Sequence, residues 1–333
     1  MFKAYAVMQV GAELELIEFD PSPISADEVE IEVENCGLCH SDLSMIDNEW
    51  GMSTYPLIAG HEVIGIIRDK GEAVSHLQTG QRVGLGWFKG FCNHCQACQQ
   101  GDHNLCAASD MTIVGHHGGF ADKVRAKANS VVVLPDGIDP HSAGPMFCGG
   151  ITVFNPLVQF NLPPTSKVGV IGIGGLGHIA LQFLNAWGCE VTAFTSSEAK
   201  IQEAKSLGAH HTINSREPKA LEDAAGQFDL IISTVAVKLD WNAYLNTLAP
   251  KGRLHFVGAT LEPLDLNVFN LIMAQRSVSG TPSGSPETTR KMLDFALLHD
   301  IKPQIETFAM RDINQAVQHL RDGKARYRIV LEN

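Results

Sequence analysis

Four of the chain's eight cysteines fall within the fifteen residues CNHCQACQQGDHNLC, Cys92 to Cys106. Their spacing is C-x2-C-x2-C-x7-C, on a short, polar, glycine-containing stretch. Thiolates so placed can close a tetrahedral shell around zinc, with Zn–S near about 2.3 Å. A bacterial ferredoxin run opens the same way but continues x3-C-P, whereas here seven residues intervene and Ala107 follows. Cys92, Cys95, Cys98 and Cys106 therefore read as ligands of a structural zinc. A shell of four thiolates leaves no open position, so the chemistry lies elsewhere.

Three further residues have side chains suited to a metal. Cys39 lies in CGLCHSDL (36–43), His61 in GHEVIG (60–65) and Cys148 in GPMFCGGIT (144–152). Spacing alone assigns them nothing. A lone cysteine is most often a small buried hydrophobe, the reading given to Cys36 and Cys189. A lone histidine is more often a hydrogen-bonded core or surface residue than a ligand.

A nucleotide pattern follows. Residues 166–177, SKVGVIGIGGLG, run an apolar strand into Gly172-x-Gly174-x-x-Gly177. Leu176, Ile179, Ala180, Phe183, Leu184 and Trp187 then recur on one helical face. The glycines let backbone approach a pyrophosphate at the helix N-terminus, where unpaired N–H groups and the dipole favour anions. A site for NAD places an acid at the end of the second strand; here that strand ends FTSSEAK. Thr195, Ser196 and Ser197, with Lys200 nearby, suit a 2′-phosphate and hence NADP(H). Glu198 opposes that reading if it points inward, and the three hydroxyls also make good helix caps.

Taken in order, CGLCHSD, GHE about twenty residues on, the four-cysteine lobe and a cysteine just before the nucleotide pattern form a specific set. Over the whole chain it resembles the zinc-dependent medium-chain alcohol dehydrogenases, and within them the cinnamyl alcohol dehydrogenase-like aldehyde reductases. The resemblance implies a catalytic zinc on Cys39, His61 and Cys148 with an exchangeable fourth position, and so two zinc ions per subunit. Glu62 matches a glutamate that can approach that metal, and Asp42 the acid that hydrogen-bonds the ligand histidine. Cys148 argues against the polyol branch, which typically has glutamate there. Ser41 matches the hydroxyl that bonds the substrate oxygen and starts the proton path, although HSD is also good N-cap chemistry. Many relatives finish that path with a histidine three residues on, where this chain has Ser44; His40 matches a cofactor-phosphate contact. Thr152 matches a residue against the nicotinamide, and Gly175, Leu176 and Val257 match further cofactor positions. Arg328 matches a diphosphate contact or is a surface charge on the last strand. Trp50 and Trp87 match pocket residues suited to aromatic or medium-length aldehydes, or are core residues.

The elements that must hold these groups are legible as alternating patterns. EVTAF, FDLIISTV, GRLHFVG and SVSG read as strands and EAKIQEAKSLG as a helix, giving a doubly wound parallel sheet. The first 150 residues are rich in Gly, Pro and alternating strands, MFKAYAVMQV among them, and RYRIVLEN reads as a returning strand. The fold class is α/β. The resemblance implies a GroES-like β-rich catalytic domain over 1–153 and 291–333, including the zinc lobe 88–110. A Rossmann domain is expected over 154–290, with the active site in the cleft between the two. A chain of 333 residues supports two domains. No apolar run approaches the roughly 20 residues needed to span a bilayer. A net charge of −12 argues against nucleic acid or an anionic membrane as partner. With no export signal at the N-terminus, a cytoplasmic protein is expected, its cysteines serving metal rather than disulfides. The expected activity is hydride transfer between NADP(H) and a small alcohol or aldehyde by a homodimer. The alternatives are a polyol or secondary-alcohol dehydrogenase, and a non-catalytic dinucleotide-binding redox sensor; the intact ligand set speaks against the last.

Overall fold

The computed structural model describes residues 1–195 and 199–333. These divide into two compact units, Met1–Ile151 with Gly284–Asn333, and Thr152–Ser283. The strand Glu28–Leu38 organises the first unit. Its alternating sequence sends Val29, Ile31 and Val33 into the core and leaves the intervening glutamates to pair across the sheet. Glu30 meets Lys123 at 2.9 Å and Arg125 at 2.7 Å, and Glu34 meets Arg82 at 2.7 Å. Around it lies a seven-stranded sheet ordered Ile305–Ala309, Arg328–Glu332, Glu28–Leu38, Val63–Lys70, Arg82–Leu85 and Val132–Val133, with Lys123–Lys127 also on Glu28–Leu38. The last strand is the expected return: Ile329 pairs antiparallel with Leu38, while Cys36 pairs with Val63 on the other side.

Glu30 offers a test of how much those cross-strand pairs contribute. Burial pushes its pKa up, but hydrogen bonds and charge from Lys123 and Arg125 outweigh burial and hold it below the usual 4.5. A depressed folded value stabilises fully above the unfolded pKa and is lost as pH falls through the folded one. Glu30→Gln is therefore expected to lower Tm at pH 7, with the gap to wild type closing below pH 4.5. Thermal melts across that window check it; a gap independent of pH would mean the charge contributes nothing.

The second unit is a six-stranded, all-parallel sheet. Its spatial order is His211–Asn214, Glu190–Thr195, Lys167–Ile171, Phe228–Ser233, Leu248–Phe256, Ser277–Gly280. The chain thus starts in the middle, builds to one side, and crosses back to build the other. The crevice at that reversal, between Lys167–Ile171 and Phe228–Ser233, is where open α/β sheets take ligands. The helix Gly177–Trp187 covers the sheet through Ile179, Ala180, Phe183 and Leu184, as its periodicity predicts, and also through Leu181. Phe228, Phe194, Tyr244, Trp241 and Phe256 form, in that order, an aromatic chain with neighbouring centroids 4.8–6.1 Å apart.

The division between units falls after Ile151 and after Ser283, earlier than the expected 153 and 290. The reason for the second difference is the helix Pro286–Leu298, capped by the Ser285 side chain on Thr288 N. It buries Met292 and Leu293 as one piece, so no boundary can fall inside it.

Candidate active site

The first unit brings Cys39, His61 and Cys148 together from three separate elements. Cys39 is the N-cap of the helix His40–Ile46: its Sγ accepts from Ser41 N at 3.3 Å and its N–H donates to Asp42 Oδ2 at 3.0 Å. His61 sits just before the strand Val63–Lys70, and Cys148 closes the 3-10 turn Gly144–Phe147. His61 Nε2 lies 3.3 Å from each sulfur, and the sulfurs are 4.0 Å apart. A tetrahedral zinc with ordinary bond lengths needs about 3.8 Å between sulfurs and about 3.6 Å from sulfur to nitrogen. The triad fits within a few tenths of an ångström.

Asp42 fixes the histidine. Its Oδ1 accepts from His61 Nδ1 and from Gly60 N, both at 2.9 Å, which turns Nε2 toward the sulfurs. All of Asp42, His61 and Glu62 is buried. Burial raises the Cys39 thiol, but hydrogen bonding from Cys148 and the His61 charge outweigh it and favour the thiolate. The hydrogen bond to Cys39, then burial, push Cys148 up. One ready thiolate beside a neutral partner is a set that releases protons on taking a cation.

Glu62 completes the cluster, with a carboxylate oxygen within 4.8 Å of the other ligand atoms. Arg328 Nη2 donates to its Oε1, and its Oε2 has no partner among the described residues. Burial pushes the Glu62 pKa up to about 7 despite the Arg328 charge. A buried, orphaned carboxylate oxygen at the mouth of an N/S ligand set is what an absent cation leaves behind. The contact also requires Gly37, where a Cβ would stand 1.9 Å from Glu62 Oε2. Arg328 is itself only 4% exposed, so the surface-charge reading of it is corrected: the guanidinium belongs to Glu62.

Trp87 packs edge-on to His61 at 5.1 Å between centroids, and Trp50 edge-on to Trp87 at 5.8 Å. With Met45, Leu57 and Ile113 they form a small apolar cluster of their own. Ser41 is half-buried and His40 is exposed. Ser44 donates its hydroxyl to the exposed Glu49 at 2.7 Å, a pairing that the sequence reading missed although only five residues separate them.

The four-cysteine lobe is assembled as its spacing implies. Cys92 Sγ lies 3.9 Å from Cys98 Sγ and 3.6 Å from Cys106 Sγ, and all four sulfurs lie within 4.8 Å of one another. Backbone N–H groups of His94 and Cys95 hold the Cys92 thiol down at about 6, while burial pushes Cys98 up to about 12. Around the sulfurs there are only a four-residue helix, a 3-10 turn and a two-stranded pair. Such short pieces are not stable alone.

In the second unit the glycine-rich loop has the shape of an anion cradle. Gly172 has φ +86°, and at Gly177 a Cβ would meet Gly172 O at 1.9 Å, whereas at Gly174 it would meet nothing within 4 Å. The loop is tight behind and open in front, so a diphosphate fits. Gly175 and Leu176 continue it. Thr195 ends its strand, buried, and Val257 N donates to Ser233 O at 3.0 Å. Lys200 Nζ donates to Ile173 O at 3.0 Å, which puts its ammonium on the loop itself. Thr152 is buried on the helix Gly149–Gln159. Ser196 and Ser197 lie outside the described residues. No helix among the described residues is long and apolar enough to cross a membrane.

Fold and site together define a zinc-binding dehydrogenase, and the comparisons agree. Residues 25–136 match the alcohol dehydrogenase GroES-like domain family and residues 175–297 the zinc-binding dehydrogenase family. The chain belongs to the zinc-dependent medium-chain alcohol dehydrogenases, in their cinnamyl alcohol dehydrogenase-like branch. It is 61% identical over 333 residues to an aldehyde reductase of Synechocystis, covering 100% of this chain and 99% of that one. A cinnamyl alcohol dehydrogenase structure from Sorghum bicolor superposes with TM-score 0.94 at 34% identity, covering 99% and 97% of the two chains. The structure of CAD from Helicobacter pylori complexed with NADP(H) superposes with TM-score 0.91 at 31% identity, again over 99% and 97%.

Proposed function

We propose that the protein is an alcohol dehydrogenase or aldehyde reductase that interconverts primary alcohols and aldehydes with NADP(H). The observation that carries this is the Cys39–His61–Cys148 triad with its Asp42 support and the orphaned Glu62 oxygen. NADP(H) is supported by the missing acid at Ser196 and by the dinucleotide in the Helicobacter pylori relative. Two edge-on indoles, Trp87 against His61 and Trp50 against Trp87, support aromatic or medium-length substrates. A homodimer is proposed by analogy with the branch. The direct test is NADPH oxidation followed by absorbance with a panel of aldehydes; no turnover of any would overturn the proposal.

When bound, zinc supplies Lewis acidity toward the alcohol or aldehyde oxygen, and the dinucleotide gives or takes the hydride. The chain's own residues do the rest. Asp42 keeps the His61 proton on Nδ1. Arg328 holds one oxygen of Glu62 and leaves the other for the cation. Trp87 packs against the imidazole and excludes water from that side. Ser41 carries the substrate proton, because its hydroxyl can both donate and accept. General acid–base contributions run to about 10²–10⁴-fold, so Ser41→Ala is expected to lower kcat by about a hundredfold. Ser44 gives its proton to an exposed carboxylate, and Ser44→Ala is expected to cost less than about threefold. Equal losses in the two variants would show that the path runs through Ser44.

The four-cysteine lobe is proposed to hold a second, structural zinc. Ligation there is worth about 10–16 kcal/mol in small zinc domains, far more than its few apolar contacts. Cys95→Ser is expected to lower Tm and yield, and to bring metal content from about two zinc per chain toward one. Fully active wild type with one zinc by elemental analysis would refute the assignment.

A further inference from the structure

Four consecutive carbonyls, from Ile171 at the end of the strand through Gly174 in the glycine-rich loop, each have a donor. Ile171 O accepts from Thr234 N at 3.0 Å and Thr234 Oγ1 at 2.9 Å, and Gly172 O from the same hydroxyl at 2.8 Å. Ile173 O accepts from Lys200 Nζ at 3.0 Å. Gly174 O lies 3.0 Å from both the backbone N and the Nδ1 of His178. In a trans peptide the N–H points opposite to the carbonyl. Holding a carbonyl therefore also fixes the direction of the N–H in the same peptide, here those of Ile173, Gly174 and Gly175. Those N–H groups have no acceptor among the described residues, and a Cβ at Gly174 would meet nothing within 4 Å.

Thr234 is the member that acts at the sharpest point. It follows the strand Phe228–Ser233, across the chain-reversal crevice from Gly172. Its single hydroxyl proton is shared between two adjacent carbonyls, pinning the turn where φ is positive. We infer that Thr234 is a positioning residue for the dinucleotide, fixing the loop so that its N–H groups are aimed at the diphosphate before it arrives. The inference rests on the proposed dinucleotide site. Without the hydroxyl the Gly172 carbonyl has no donor, the peptide gains freedom to rotate, and binding must supply the ordering. Because every nicotinamide dinucleotide carries the diphosphate, the loss falls equally on NADPH and NADH.

Thr234→Val keeps the side-chain shape and deletes only the hydroxyl; Thr234→Ser keeps the hydroxyl. Dissociation constants for NADPH and NADH, from tryptophan fluorescence, are expected to rise about five- to tenfold in Thr234→Val, as one lost hydrogen bond implies. They are expected to return to within about twofold of wild type in Thr234→Ser. Tm without cofactor and kcat at saturation are expected to stay near wild type in both. Wild-type affinity in the valine variant, or a serine variant as weak as valine, overturns the inference. So does a fall in cofactor-free Tm that tracks the loss of affinity. Wild-type protein that binds neither dinucleotide overturns the proposed function and this inference with it, which separates the two failures.

Discussion

Cys148→Ala is expected to abolish turnover while leaving the fold and NADPH binding near wild type. The three candidate ligands are embedded differently. His61 is fully buried, and its ring is tied to Asp42, which in turn holds Gly60 and the N-cap of a helix. Removing it would disturb all of these. Cys148 is half-buried at the end of a 3-10 turn, and its sulfur contacts only the other two ligands among the bonds described. Its loss takes a metal ligand and little packing. A metal's electrostatic contribution of several kcal/mol corresponds to at least about a thousandfold in kcat at 1.36 kcal/mol per decade. Zinc content should fall by about one per chain, with Tm changed little. Residual activity within tenfold of wild type would place the chemistry elsewhere, and a collapse in Tm would make Cys148 structural.

The two metal sets differ in how far they can be read without a structure. Cys92, Cys95, Cys98 and Cys106 read as ligands from their spacing alone, because a short loop leaves its side chains no other place to go. Cys39, His61 and Cys148 are separated by 22 and 87 positions, and only the surrounding motifs join them. The Glu62–Arg328 pair was legible from neither. It arises because Glu28–Leu38 is flanked by Val63–Lys70 on one side and Arg328–Glu332 on the other, so residues 266 apart in sequence end beside the same strand. Register across a sheet is not written in either strand alone. The parallel sheet was legible, since buried strands are continuous apolar runs between helical periods. Thr234 was hidden within one of those runs; a hydroxyl ending the strand across from the first glycine was the available signal.

Ser196→Asp is expected to reverse the cofactor preference. Thr195 is the last residue of the second strand of the parallel sheet, buried and in register with Asn214. Ser196, the next residue in the sequence, stands where the sequence pattern of an NAD site carries an acid for the ribose hydroxyls. Under the proposed NADP(H) reading, an aspartate in its place repels the 2′-phosphate and offers ribose hydroxyls an acceptor. A charge-assisted contact is worth roughly 1.5–3 kcal/mol, or about one to two decades. The variant should therefore lose about ten- to a hundredfold in kcat/KM for NADPH and gain for NADH. Lys200 gives a second, separable signal. Its ammonium rests on Ile173 O, which supports the loop for either cofactor, and its positive charge favours a 2′-phosphate over a 2′-hydroxyl. Lys200→Ala should thus cost both cofactors something and NADPH about one to two decades more. The measurement is kcat/KM for NADPH and NADH in wild type and both variants. Wild type preferring NADH, or a Ser196→Asp variant whose ratio of the two is unchanged, would overturn the assignment of NADP(H).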